Sequence, residues 1–244
     1  MKHLLIGGVL AAIFLFAPTL VFAQGISIDL GQDGSITSRT IQLFILITVL
    51  SLAPGIAIMV TCFPFFVTVL SILRQAIGLQ QSPPNMLIVS LALFLTYFVM
   101  EPVFIDAWEN GISPMLENQI EFDVAFSKTV DPFRTFMASR LDGETFEAVV
   151  ALRPNVQVDG AAADAPLSVL VPSFLLSEIA RAFQVGFLVF LPFVIIDLVV
   201  AAILMSMGMM MVPPAVVSLP FKLGFFVVAD GWSLIASALV NGYF

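Results

Sequence analysis

Long apolar stretches alternate with short polar links along this chain. Apolar residues dominate 41–73, 86–104, 173–207 and 215–244, and about 20 such residues suffice for one helix to cross a bilayer core. The pattern predicts an all-α membrane protein with two helical hairpins. The first covers 41–109 around a polar link at 74–84, and the second covers 171–244 around a loop at 206–214.

Prolines interrupt the first apolar stretch. Pro54 precedes Gly55, and Pro64 follows nine residues after Gly55. Because proline removes a backbone donor and clashes with the preceding turn, we expect a bent or broken helix here. Irregular backbone at membrane depth needs protein or a water-filled cavity beside it, which indicates assembly with other chains.

The polar regions suggest an orientation. Residues 1–23 read as a signal peptide cleaved after Ala23, although a retained anchor is the alternative. Segment 24–40 would then be exported, and the acidic segment 110–170, with short helices, would lie in the periplasm. Arg74 in the polar link favours a cytoplasmic position for that link.

Composition excludes several classes of function. The chain is 60% hydrophobic and only 11% charged, with a mean hydropathy of +1.08 and a net charge of −8. A soluble domain has about 25% charged residues, and an acidic chain is a poor partner for nucleic acid. The single cysteine, Cys62, allows no disulfide within the chain.

Catalytic signatures are missing from the sequence. The only histidine, His3, lies in the predicted signal peptide, so the mature chain could form neither a Ser/His triad nor a histidine metal site. Phosphate-binding Gly-rich loops are not present either. Intramembrane aspartyl proteolysis through Asp197 and Asp230 has no support from the surrounding residues. We therefore expect a protein that is not an enzyme and that has no cofactor or metal.

A methionine cluster joins the two apolar stretches of the second hairpin. It comprises Met207, Gly208, Met209, Met210 and Met211. Thioether side chains are flexible and polarizable, which suits a deformable apolar seal. The alternative is that these methionines fill gaps in a buried turn.

Ionisable residues within the second hairpin are the other candidate site. They are Glu178, Arg181, Asp197, Lys222 and Asp230. Glu178 and Arg181 are spaced for pairing on one helical face. If the hairpin turns at 213–214, Lys222 lies about 13 Å from the turn and Glu178 about 50 Å, at the helical rise per residue.

That geometry places Asp197 level with Asp230 and keeps Glu178 away from Lys222. We therefore expect some partners to come from other chains, with Glu178 pairing with Lys222 between neighbouring subunits. Simple snorkelling of these charges to the membrane interface is the alternative.

Several local strings carry a family resemblance. They are RQAIGLQQSPPN at 74–85, FQVGFLVFLPF at 183–193, the segment 197–214, SLPFK at 218–222 and DGW at 230–232. In this order they resemble the FliP family of flagellar type III export-gate proteins over essentially the whole mature chain. The related virulence-type secretion subunit is the nearest alternative.

The resemblance implies a non-enzymatic, pore-forming core subunit of the flagellar basal body, in the bacterial inner membrane. Several copies would assemble with a related gate subunit and a small two-helix subunit into a helical, ring-like pore that passes unfolded flagellar proteins. Its spans would be bent and partly raised out of the bilayer. Met209, Met210 and Met211 would form the pore gasket, with Met207 and Gly208 shaping the turn.

A secondary transporter is the alternative from a different class. It would use Asp197, Glu178 or Asp230 as a proton relay and the broken helices as a binding site.

Overall fold

The computed structural model describes residues 36–79, 82–153 and 161–244, where all regular structure is helical. The all-α prediction is therefore confirmed for these ranges. The predicted signal peptide and residues 24–35 of the exported segment lie outside them. The main helices are α1 (Ile36–Met59), α2 (Phe63–Ile77), α3 (Asn85–Ala107), α4 (Ser113–Leu116), α5 (Phe122–Ser139), α6 (Gly143–Ala151), α7 (Leu167–Ser206), α8 (Pro214–Val228) and α9 (Gly231–Asn241).

The chain divides into two compact units, residues 1–48 and residues 49–244. Helix α1 crosses the boundary between them, and the contacts below all belong to the second unit. In the described residues, three helical segments are long and apolar enough to cross a membrane: Thr40–Met59, Asn85–Leu116 and Leu167–Ser206. Helices α8 and α9 together form a fourth candidate, bent by 62°.

The first apolar stretch is broken, as its prolines predict, but not at the first of them. Helix α1 runs through Pro54, and the break lies at 60–62. Pro64 lies in the first turn of α2, where its missing N–H costs no helical hydrogen bond. Helix α2 then extends to Ile77, so the link between the helices is shorter than the predicted 74–84.

Helix α2 forms the centre of the core. Its buried side chains recur at helical spacing, among them Phe66, Leu70, Leu73 and Ile77. Helices α3 and α7 both pack against it. Gly186 permits the close approach of α7, because a Cβ there would lie 2.4 Å from Cδ1 of Ile72.

The acidic segment forms short helices, as predicted. Helix α5 packs against α3 and against the π-helical turn Trp108–Ile112 that follows α3. Gly111 permits that contact, since a Cβ there would lie 2.8 Å from the backbone N of Thr129. The Asp142 carboxylate accepts a hydrogen bond of 2.9 Å from the backbone N–H of Thr145 and so caps α6.

The second hairpin differs from its predicted form in the returning arm. Helix α7 is continuous for 40 residues and contains Pro192. Residues 215–244, expected as one helical stretch, form α8 and α9 instead. Asp230 adopts a left-handed backbone conformation with φ of 47° at the break, and such a residue ends an α-helix.

Candidate functional site

The methionine loop is fixed by its own backbone. The N–H of Met209 donates to the carbonyl of Leu204, and the N–H of Gly208 donates to the carbonyl of Met205. The donor–acceptor distance is 3.0 Å in each bond. This pair of bonds is the Schellman motif, which closes a helix C-terminus around a left-handed residue. Gly208 supplies that residue with φ of +75°. The loop therefore turns without help from its side chains.

Two side chains at the tip of this loop are almost fully exposed. Met210 is 83% exposed and Met211 is 97% exposed. Met207 and Met209 differ in that they line an apolar cavity of about 490 Å³ between α7 and α8. In the part of the chain that the structure describes, Met210 and Met211 thus fill no gap. That Met207 and Met209, which are 64% and 38% exposed, fill gaps in a buried turn stays a prediction.

Asp197 and Lys222 form an ion pair across the same hairpin. Lys222 Nζ lies 2.6 Å from Asp197 Oδ2 and also donates to the carbonyl of Ala76 over 3.1 Å. The Ser218 hydroxyl donates to the other carboxylate oxygen of Asp197. Ala76 lies in the last turn of α2, where carbonyls lack helical partners and a cation is favourable. Lys222 therefore joins the hairpin to the end of α2.

The position of the turn explains this pairing. The linker between α7 and α8 is centred near Met210, not at the expected 213–214. Asp197 and Lys222 are then nearly equidistant from the turn, whereas Asp230 lies beyond the break that precedes α9. The prediction that Asp197 and Asp230 lie at the same distance from the turn is wrong for this reason.

Glu178 forms a second cluster at the far end of α7. Its side chain is fully buried, and Oε1 lies 3.4 Å from Arg140 Nε and 4.0 Å from Arg181 Nη1. The hydroxyl of Tyr243 donates to Oε2. The anion thus has two cations and one neutral donor within its own chain, which offsets the cost of burying it.

Tyr243 and Arg140 bind each other as well. The guanidinium carbon of Arg140 lies 4.1 Å from the centre of the Tyr243 ring, and Arg140 Nη1 donates to the carbonyl of Gly242 over 2.9 Å. The Tyr243 ring also contacts the rings of Phe65 and Phe66. Burial, and then the charge of Glu178, raises the pKa of the Tyr243 hydroxyl, so it remains a donor. The cluster fastens the segment after α9 to α2, α5 and α7.

These contacts give the buried charges partners within the chain, while the expected Glu178–Lys222 pairing between subunits stays a prediction. Glu178, Asp197 and Lys222 each have a partner of opposite charge in the same chain, and Glu178 does not meet Lys222 there. Arg140 and Tyr243 were missed because they lie 38 and 65 residues from Glu178. Ser218 could have been found, since it precedes Lys222 by one helical turn.

Comparison with known proteins gives a consistent result. The sequence model of the FliP family matches residues 46–239. A relative from Caulobacter vibrioides is 50% identical over 237 residues, covering 96% of this chain and 89% of its own length. Relatives from Agrobacterium fabrum and Bacillus subtilis are 47% and 43% identical, covering 95% and 89% of this chain and 96% and 98% of their own lengths. Each is named flagellar biosynthetic protein FliP.

Proposed function

Because this chain belongs to the FliP family, we propose that it is a pore-forming core subunit of the flagellar type III export gate. It passes unfolded flagellar proteins across the inner membrane. The name shared by its relatives supports a role in flagellar biosynthesis. Several copies assemble with a related gate subunit and a small two-helix subunit, and the mature amino terminus lies in the periplasm.

The observation that carries this proposal is the exposed methionine tip. Met210 and Met211 extend from a turn whose geometry is set by the backbone. A ring of such side chains from several subunits forms an apolar constriction, which excludes water and ions by dewetting. Unbranched thioethers can also rearrange around a polypeptide of varied shape. Both properties are required of a gasket.

Exposed apolar faces support assembly within the membrane. On α7, Phe187 and Leu188 are 63% and 64% exposed, and Leu198 is 64% exposed. On α8, Val216 is 69% exposed. Faces of this kind need lipid or other subunits to cover them. The apolar helices α7 and α8 meet at the methionine tip, so neighbouring copies that pack along them would bring their tips together.

The test is the resting ion leak of the assembled complex. Replacing Met209, Met210 and Met211 together by alanine is expected to raise ion conductance across membranes that contain the complex, because the constriction widens and becomes hydrated. Met86→Ala is the matched control, since Met86 is 80% exposed but lies at the start of α3. It should leave the conductance unchanged.

The mass of the detergent-extracted complex is measured for each variant, so that loss of the seal is distinguished from loss of assembly. A triple variant that assembles normally and conducts no more than the parent protein would overturn the gasket role. A parent protein extracted as a lone monomer would contradict the pore itself.

A further inference from the structure

An apolar groove lies beside the polar link of the first hairpin. It has a volume of about 370 Å³ and is lined by Leu70, Pro83, Leu87, Ile88, Leu91 and Trp232. The groove therefore runs between the middle of α2, the start of α3 and the start of α9. Leu87 is 59% exposed and Trp232 is 40% exposed, so the groove is open along its side.

Arg74 contacts one wall of this groove. Its Nη1 donates to the carbonyl of Pro83 over 3.5 Å and to Oδ1 of Asn85. Pro83 also lines the groove, so one residue connects the cation to the apolar wall. Leu70 lies one helical turn before Arg74 on α2, which places both on the same face.

The charge of Arg74 is not compensated in the part of the chain that the structure describes. Both acceptors are neutral, and across 36–79, 82–153 and 161–244 the ion pairs are those of Glu178 and Asp197. A guanidinium carries five N–H donors. In the described contacts only Nη1 is used, so Arg74 can bind an anion without giving up its present partners.

The distance between the cation and the apolar wall along the helix matches the distance between the headgroup and the acyl chain of a lipid. Asn85, which Arg74 contacts, is the first residue of the candidate membrane span Asn85–Leu116. Leu91 lies six residues further, about 9 Å deeper at the helical rise. A bilayer whose hydrocarbon core begins at Asn85 would place Arg74 level with the headgroups and Leu91 level with the acyl chains, and tryptophan is enriched at this boundary.

We propose that this groove binds one anionic phospholipid. The lipid phosphate accepts hydrogen bonds from Arg74, and one acyl chain lies against Leu87, Leu91 and Trp232. Basic pockets beside membrane helices on the cytoplasmic side bind anionic headgroups in this way. The lipid's charge decides its class, because a zwitterionic headgroup would leave Arg74 partly uncompensated. This site does not depend on the proposed export function.

Fluorescence quenching by brominated lipid tests the site. The chain has two tryptophans, so Trp108→Phe leaves Trp232 as the only reporter in the full chain. The protein is reconstituted in nanodiscs of phosphatidylcholine that contain a small fraction of dibrominated phosphatidylglycerol or, separately, dibrominated phosphatidylcholine. We expect brominated phosphatidylglycerol to quench Trp232 at a lower mole fraction.

Arg74→Gln is expected to reduce that preference about fivefold, as for loss of one cation near an anionic headgroup. Arg74→Lys keeps the charge and should keep most of the preference. Arg153→Gln is the matched control, because Arg153 is exposed and lies outside the groove. Thermal unfolding of each variant shows that the fold is retained.

Three results would overturn the proposal. The first is equal quenching of the parent protein by the two lipids. The second is an unchanged preference in a folded Arg74→Gln variant. The third is no quenching by either lipid, which would mean that protein and not lipid fills the groove.

Discussion

Replacing Lys222 by methionine removes a cation that bonds two acceptors on different helices. Asp197 would lose its ion pair, and the carbonyl of Ala76 would lose its donor. Replacing Asp197 by asparagine leaves the buried Lys222 ammonium without its anionic partner, because an amide carries no charge. Making both changes removes the charges together. The free energies of unfolding of the parent and these three variants form a double-mutant cycle.

The structure sets the expected coupling energy between two limits. Exposed ion pairs contribute about 0–1 kcal/mol, whereas breaking a fully buried pair costs about 3–5 kcal/mol. The Lys222 side chain is 8% exposed, but that of Asp197 is 37% exposed, so solvent screens part of the interaction. We therefore expect a coupling of about 2 kcal/mol, between these limits. The double variant should be less destabilised than the sum of the single variants.

The assay is unfolding of the purified chain in mixed detergent micelles, followed by helical circular dichroism as the denaturing detergent is increased. The same cycle for Glu178→Gln with Lys222→Met is the control. These two residues have separate partners in the chain, so their coupling should be below about 0.5 kcal/mol. Measuring the assembled complex as well tests the sequence-based expectation of a Glu178–Lys222 pair between subunits.

Two outcomes would refute this reasoning. One is a coupling between Asp197 and Lys222 that is indistinguishable from zero, which would mean that the observed contact stabilises nothing. The other is a larger coupling between Glu178 and Lys222 than between Asp197 and Lys222, which would favour the pairing between subunits.

Three further predictions concern single residues. Tyr243→Phe should lower the free energy of unfolding by about 2 kcal/mol, because the Glu178 carboxylate loses a charge-assisted hydrogen bond; detergent unfolding measures it, and an unchanged stability would contradict the role of the hydroxyl. Gly208→Ala should cost about 1 kcal/mol, since φ there is +75°; the same assay checks it, and a more stable variant would show that the left-handed turn is not required. Hydrogen bonds from Thr145 hold the pKa of Asp142 below its ordinary value, so the cap on α6 is fully formed above the ordinary carboxyl pKa and is lost as pH falls through the folded-state pKa. Amide exchange in α6 should show additional opening only in that acidic window, and opening that grows towards neutral pH would reverse the sign.

Periodicity and length made the helices predictable. Apolar stretches of membrane-spanning length marked α1, α3 and α7, and the prolines near the start of the first hairpin indicated a break. Local signals did not fix where breaks occur. Pro54 and Pro220 each lie inside a helix that continues through them. The second of these helices ends just before Asp230, where there is no proline. The left-handed backbone conformation of Asp230 ends that helix, and no single residue type encodes such a break.

The partners of the buried charges were also hard to predict from the sequence. Counting residues from an assumed turn at 213–214 displaced Lys222 by several ångströms along its helix, so its true partner was overlooked. A Gly at 208 following a run of helix formers is the usual helix C-terminal signal. Ending the first helix there and beginning the second at Pro214 centres the turn near Met210, which aligns Asp197 with Lys222. The partners Arg140 and Tyr243 depend on tertiary packing of distant segments, which periodicity alone does not specify.

Main-chain hydrogen bonds close the end of α7 at this tip, and Gly208 there has a positive φ that favours glycine. The backbone conformation of this turn and the chemistry of the side chains that it presents can therefore be varied separately. We expect Met210 and Met211 to tolerate exchange for leucine, phenylalanine or unnatural thioethers without a change in this backbone turn, so that the width of the proposed constriction would vary with side-chain bulk.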